Sequence, residues 1–194
     1  MPIIKKSFFN LTEEQVRVPA HTHMDLSCLQ MGADGHLTVV LEGEGAQADI
    51  QAVYLSDDVH KNNFSCEVYH KASDTISHQK IVGAAAQAGQ ARIQSLIRIQ
   101  EGLKKCEGYQ QHHGVLLSSQ ALISCVPELN IFAEDVICTH GSAIGSLDEL
   151  ALFYACSRGL SDREAKKMLL LGFFDIGFES TTLQHIEKWV DSYV

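Results

Sequence analysis

The sequence predicts a mainly β body followed by a small α-helical domain. Three observations predict it. Apolar residues recur at every second position in short runs up to about residue 145, which is the strand signature. No helical stretch intervenes between those runs. After residue 145 the apolar spacing becomes helical, with N-cap and C-cap residues in place.

The runs come in order. His36–Leu41, Ala48–Leu55, Asn63–His70, Asp74–Val82, Ala91–Ile99, Gly114–Ser118 and Glu128–Phe132 are rich in β-branched and aromatic residues. Val39/Leu41, Ile50/Ala52/Tyr54 and Phe64/Cys66/Val68 mark their buried sides. A loose repeat begins near Ala91, Cys106, Ala121 and Val136, 15 residues apart. Many short strands without helices between them fit a sandwich, a barrel or a β-solenoid, and periodicity does not choose among these. Strict hexapeptide spacing is absent, which argues against a left-handed hexapeptide helix.

Ser146-Leu-Asp-Glu149 reads as a capping box opening a helix, with Leu147, Leu150 and Tyr154 on one face and Phe153 beside it, Leu147, Leu150 and Phe153 expected to pack, and Gly159 closing it. Ser161-Asp-Arg-Glu164 is a second box, whose helix carries Ala165, Met168, Leu169 and Gly172/Phe173 inward. A third helix runs near Thr182–Tyr193 on a stripe of Leu183, Ile186, Val190 and Tyr193.

Composition narrows the function. The 194 residues carry 15 basic and 24 acidic side chains, a formal charge of −9. Binding to nucleic acid needs a basic footprint, so the expected partners include no nucleic acid. No apolar run approaches the roughly 20 residues of a spanning helix, and no export signal is evident, so the expectation is a cytoplasmic protein without membrane contact. The six cysteines form no CxxC pair and read as reduced thiols.

Chemistry-bearing residues are few. His21-Thr-His23 is an HxH pair that a strand would project to one face, with Asp25 as the nearest downstream carboxylate. His112-His113 are adjacent, so a strand sends them to opposite faces, one inward and one solvated. Cys138-Thr-His140 share a face at positions i and i+2, and thiolate plus imidazole suit a soft metal such as zinc or iron. The carboxylate pairs Asp57-Asp58 and Glu134-Asp135 sit in turns. No nucleophile elbow, P-loop, dinucleotide fingerprint or HExxH motif is present. Local chemistry therefore points to a scaffold rather than an enzyme.

One stretch is more specific. Pro127-Glu-Leu-Asn-Ile-Phe-Ala-Glu-Asp-Val-Ile-Cys-Thr-His-Gly-Ser-Ala-Ile-Gly-Ser-Leu-Asp-Glu149, continued by Leu152-Phe-Tyr-Ala-Cys-Ser-Arg-Gly-Leu160, resembles the C-terminal core of the SufB/SufD family of the SUF iron–sulfur cluster assembly system. Leu41–Ala46, His70-Lys-Ala72, Tyr109-Gln-Gln111 and Leu116-Leu-Ser118 are similar to it as well, and the resemblance runs over about residues 36–178. It favours a short SufD-like member. B-type chains carry His-Glu where this one has His140-Gly141, and a Cys near the position of His112.

The resemblance implies a right-handed parallel β-helix over 36–145 and a helical domain over 146–194, with 1–35 left unassigned as a candidate solenoid cap. It implies a non-catalytic scaffold whose tail binds the SUF ATPase, an ABC-type subunit, and whose body pairs with a SufB-type subunit or with itself. His140, with Cys138, would contact iron or a transient iron–sulfur cluster shared with a partner, with no cofactor stably bound. Phe153, Tyr154, Arg158 and Gly159 would lie on the partner-binding tail. Two other readings stay open: a homodimeric β-solenoid module that has lost the cluster role, and a metal-dependent β-fold enzyme using His21, His23 and His112. Family chains are usually much longer than this one.

Overall fold

The computed structural model describes residues 1–174 and 180–194. Among these described residues eleven strands come first: β1 (Ile3–Phe9), β2 (Glu13–Val18), β3 (His23–Met31), β4 (Asp34–Leu41), β5 (Gln47–Ser56), β6 (Asn62–His70), β7 (Ile76–Ala85), β8 (Gln90–Ile99), β9 (Lys104–Leu116), β10 (Leu122–Ile131) and β11 (Asp135–Gly145). Three helices follow: α1 (Glu149–Ser157), α2 (Asp162–Phe173) and α3 (Ser180–Tyr193).

Successive strands alternate between two sheets. Odd strands form one sheet in the order β1-β3-β5-β7-β9-β11, and even strands form the other in the order β10-β8-β6-β4-β2. Every pairing is parallel, for example Ala52 with Ile81 and Ile81 with His112. Two parallel ladders threaded alternately by one chain are a β-solenoid, which resolves the choice that periodicity left open. The loose 15-residue repeat is one half-turn of this coil. Residues 1–35 carry β1, β2 and β3, paired in register with later strands.

Alternation along each strand builds the interior. Met24, Leu26 and Cys28 of β3 stack in register on Ala48, Ile50 and Ala52 of β5, all buried, while the residues between them face outward. Leu37, Val39 and Leu41 do the same on the opposite sheet. Tyr54 is the largest of the fully buried side chains. Its ring fits because Gly83 and Gly114 occupy the next two positions of its ladder. A Cβ on Gly83 would lie 2.3 Å from the Tyr54 ring.

The helices cover only part of the odd-numbered sheet. Leu170, Phe174, Ile186, Trp189 and Val190 pack on the outward-facing Leu29, Val53 and Val82, near the C-terminal ends of β3, β5 and β7. Trp189 Nε1 donates to Asp57 Oδ2 at 3.1 Å, tying α3 to the turn after β5. The N-terminal halves of the same strands remain uncovered.

The helical region departs from the sequence reading in three places. The N-cap of α1 is Asp148, not Ser146: its carboxylate accepts from the Leu150 and Ala151 amides, which leaves no role for the first box. Leu150 and Phe153, expected to pack, face outward instead: with Tyr154 they are 75, 69 and 60% exposed, and Ala155 is the buried residue of α1. Met168 and Leu183 are exposed too, because Leu170, Ile186 and Trp189 make the helix–sheet contact. The Ser161–Glu164 capping box forms as read, and Gly159 closes α1 at φ +100°. The expected family resemblance and helical domain extend across 175–179, which lie outside the described residues. No helix among the described residues is long and apolar enough to cross a membrane.

Candidate functional site

β10 and β11 are the last strands of their sheets, so each presents an unpaired edge. Burial falls away there. The interior of the preceding turns is sealed, whereas Ile144 and Phe132 at this end are exposed. Cys138 and His140 both lie on β11.

Their placement follows from strand alternation. Cys138 pairs in register with Gly108, His140 with Gln110 and Ser142 with His112, and these three β9 residues point into the solenoid. Cys138 is half-buried against the core, and the absence of a side chain at Gly108 leaves room for its sulfur. Burial raises the Cys138 thiol; the Gly108 amide, donating to the sulfur, opposes that, and the nearby Cys106 adds to it. His140, two residues further along the same edge strand, is exposed. The pair thus shares a side of an edge strand, with the thiol rooted and the imidazole free to meet whatever covers the edge.

Behind the pair runs a polar chain that the sequence reading missed. Tyr54 Oη is hydrogen-bonded to His112 Nε2 at 2.9 Å, and His112 Nδ1 to Ser142 Oγ at 3.0 Å. Ser142 also hydrogen-bonds Cys125 of β10, which partly offsets the upward push of burial on that thiol. Burial pushes the His112 imidazole down to about 4, with His113 acting in the same sense, so the ring is neutral near pH 7. His112 is inward and buried and His113 exposed, as strand alternation predicts. The signal for Cys125 and Ser142 was the half-turn repeat, which aligns β10 and β11 with the turn before.

The HxH reading is not assembled. His21 lies in a turn at φ +52°, before β3 begins at His23. His112 is inside the solenoid, whereas His23 is on its outer face. These three histidines therefore share no site. Asp57 accepts from the Val59 and His60 amides, as an Asp in a turn should.

Phe153, Tyr154, Arg158 and Gly159 are all exposed on or just after α1. The Arg158 guanidinium lies 5.1 Å from the Tyr154 ring centroid. With Leu150 they make an apolar patch with a cationic rim, uncovered by the rest of the chain.

Among the described residues, the three-donor grouping within 4.8 Å is His23, Asp25 and Asp49; Cys138 and His140 belong to no such group. The β11 pair therefore supplies two soft or borderline donors, and further ligands must come from elsewhere.

Comparison with known proteins agrees with this geometry. The model of the SUF system FeS cluster assembly, SufBD core domain, matches residues 4–173. The chain is 31% identical over 96 residues to the iron–sulfur cluster assembly protein SufD of Escherichia coli, covering 50% of this chain and 22% of that protein. It is 23% identical over 157 residues to SufD of Bacillus subtilis, covering 81 and 36%. It is 30% identical over 100 residues to a SufBD family protein of Methanothermobacter thermautotrophicus, covering 52 and 24%. The chain thus spans between about a fifth and a little over a third of these relatives. A family match across nearly the whole parallel solenoid means that this chain belongs to the SufBD core domain family of the SUF iron–sulfur cluster assembly system.

Proposed function

We propose that this chain is a non-catalytic component of iron–sulfur cluster assembly, a SufD-like scaffold that pairs through its open terminal turn and docks the SUF ATPase through its helical tail. The observation that carries the reading is the pair of unpaired edges on β10 and β11, with Cys138 and His140 on one of them. A partner with its own open turn would satisfy those edges and bury Ile144. A SufB-type subunit is the occupant that family membership favours, and a second copy is the other outcome.

In this reading iron or a nascent cluster is cargo. His140 offers an imidazole at the joint, Cys138 a thiol that must lose its proton on binding, and the partner supplies the rest. The position where B-type chains carry a thiol is filled here by the region of His112, whose two ring nitrogens are already engaged by Tyr54 and Ser142. That supports a supporting rather than a principal ligand role. The exposed Leu150, Phe153 and Tyr154 patch, rimmed by Arg158 and Gly159, is where the ATPase would dock.

The test is reconstitution with a SufB-type subunit and the SUF ATPase, comparing the native chain with His140→Ala. Cluster formation that requires His140 while complex formation does not supports the reading. Absence of any complex with either partner refutes it.

A further inference from the structure

On the outer face of the odd-numbered sheet, away from the helices, four side chains from three adjacent strands converge. His23 Nε2 lies 3.2 Å from Asp25 Oδ1 and 2.8 Å from Asp49 Oδ2. His78 Nδ1 lies 2.7 Å from the other Asp49 oxygen, Oδ1. The Asp49 carboxylate is thus held between two imidazoles. The Tyr109 ring stacks on His78 with centroids 5.0 Å apart and planes 9° from parallel, fixing its orientation.

The sequence builds this by register. Asp25 pairs with Asp49, Asp49 with His78, and His78 with Tyr109, one per strand. Parallel strands about 4.8 Å apart stack such residues side by side. Two carboxylates directly opposite one another on neighbouring strands are destabilising unless a cation lies between them. His23 alone stands between them, and Lys5 Nζ approaches the far oxygen of Asp25 at 3.8 Å. The spacing has a second meaning. Donor atoms around one tetrahedral zinc ion lie about 3.3 Å apart, given metal–ligand distances of about 2.0–2.1 Å. The separations already present, 2.8 and 3.2 Å, are close to that edge.

We propose that His23, Asp25 and Asp49 form a binding site for a divalent transition-metal ion of the zinc class, with His78 as its fourth ligand or as the group that orients Asp49. Mixed imidazole and carboxylate donors suit zinc, manganese or ferrous iron rather than calcium or magnesium. The site is separate from the β11 edge. It faces outward from β3, β5 and β7, whereas Cys138 and His140 follow the inward positions of β9, and β9 itself lies between. It does not depend on the scaffold function proposed above.

The test is a zinc titration of the metal-free full chain against a chromophoric chelator. The native chain and a Cys138→Ser/His140→Ala double variant should each bind one equivalent at this site. Asp49→Asn and His23→Gln should each weaken that binding at least tenfold, and His78→Gln about tenfold. Circular dichroism checks folding; should Asp49→Asn unfold the chain, Asp25→Asn with His78→Gln carries the same comparison. Cobalt substitution adds a spectrum that must change in the His23→Gln variant. Failure of the native chain to bind zinc, or zinc binding that survives Asp49→Asn and His23→Gln unchanged, overturns the proposal. So does binding that is lost only in the Cys138→Ser/His140→Ala variant.

Discussion

Tyr54 and His112 are joined by a 2.9 Å hydrogen bond inside the solenoid, although 58 residues separate them in sequence. Their rings lie 4° from parallel. The tyrosine reaches His112 by running over Gly83 and Gly114, and His112 passes the connection on to Ser142 at the open end. The interior column and the candidate site are therefore mechanically linked.

Gly83→Ala breaks this link at its tightest point. The new methyl would meet the Tyr54 ring at 2.3 Å, so the ring or the strand must move. The expected cost is about 1–3 kcal/mol, read as a lower urea midpoint with unchanged slope.

Acid should destabilise the fold well above the range where exposed carboxylates titrate. Burial pushes His70 and His112 down to about 4 each from an ordinary value of 6.5. The unfolded chain therefore binds more protons than the folded chain between those values. Stability is fully present above about pH 6.5 and is lost as pH falls toward about 4, by a few kcal/mol for the two rings. Burial works to raise Asp57, but hydrogen bonds from His60, Tyr193 and Trp189 prevail and hold it low, so its contribution is lost at still lower pH. Urea unfolding at pH 7.5, 6.0 and 5.0 measures the slope; a flat profile contradicts the assignment.

Trp189→Phe removes the donor to Asp57 and leaves a buried carboxylate oxygen one partner short. The expected loss is about 1–3 kcal/mol. Amide exchange should quicken in α3 before it does in the strands, because this bond, its neighbour from Tyr193 and the packing of Ile186, Trp189 and Val190 fasten α3 to the solenoid.

Leu150→Ser with Phe153→Ser should leave stability within about 0.5 kcal/mol, since both side chains are exposed. The same variant should lose ATPase binding in a pull-down. Retained binding would move the docking surface elsewhere.

Strand positions were legible because alternation such as Phe64/Cys66/Val68 reports burial directly. Periodicity did not choose the solenoid, because parallel pairing joins residues 20 to 32 apart and leaves no local mark; the family resemblance of the 127–160 stretch did. Ser146 was misread as a cap because Asp148 two residues on is an equally good acceptor and sits closer to the first free amides. The outward turn of Leu150 and Phe153 was invisible for a related reason: helical spacing shows which residues share a face, not whether that face is covered. The shared side of Cys138 and His140 on β11 was legible from alternation. Cys125, Ser142 and the His23–Asp49–His78 group were missed because each is assembled across strands.

The open β10–β11 turn is proposed as a pairing surface carrying a metal-facing His140. Native mass spectrometry of this chain mixed with a SufB-type subunit, with and without Ile144→Asp and His140→Ala, tests it most directly. The expected result is a one-to-one assembly that Ile144→Asp abolishes, and that His140→Ala preserves while losing bound iron. An assembly indifferent to Ile144→Asp, or no assembly at all, would contradict it.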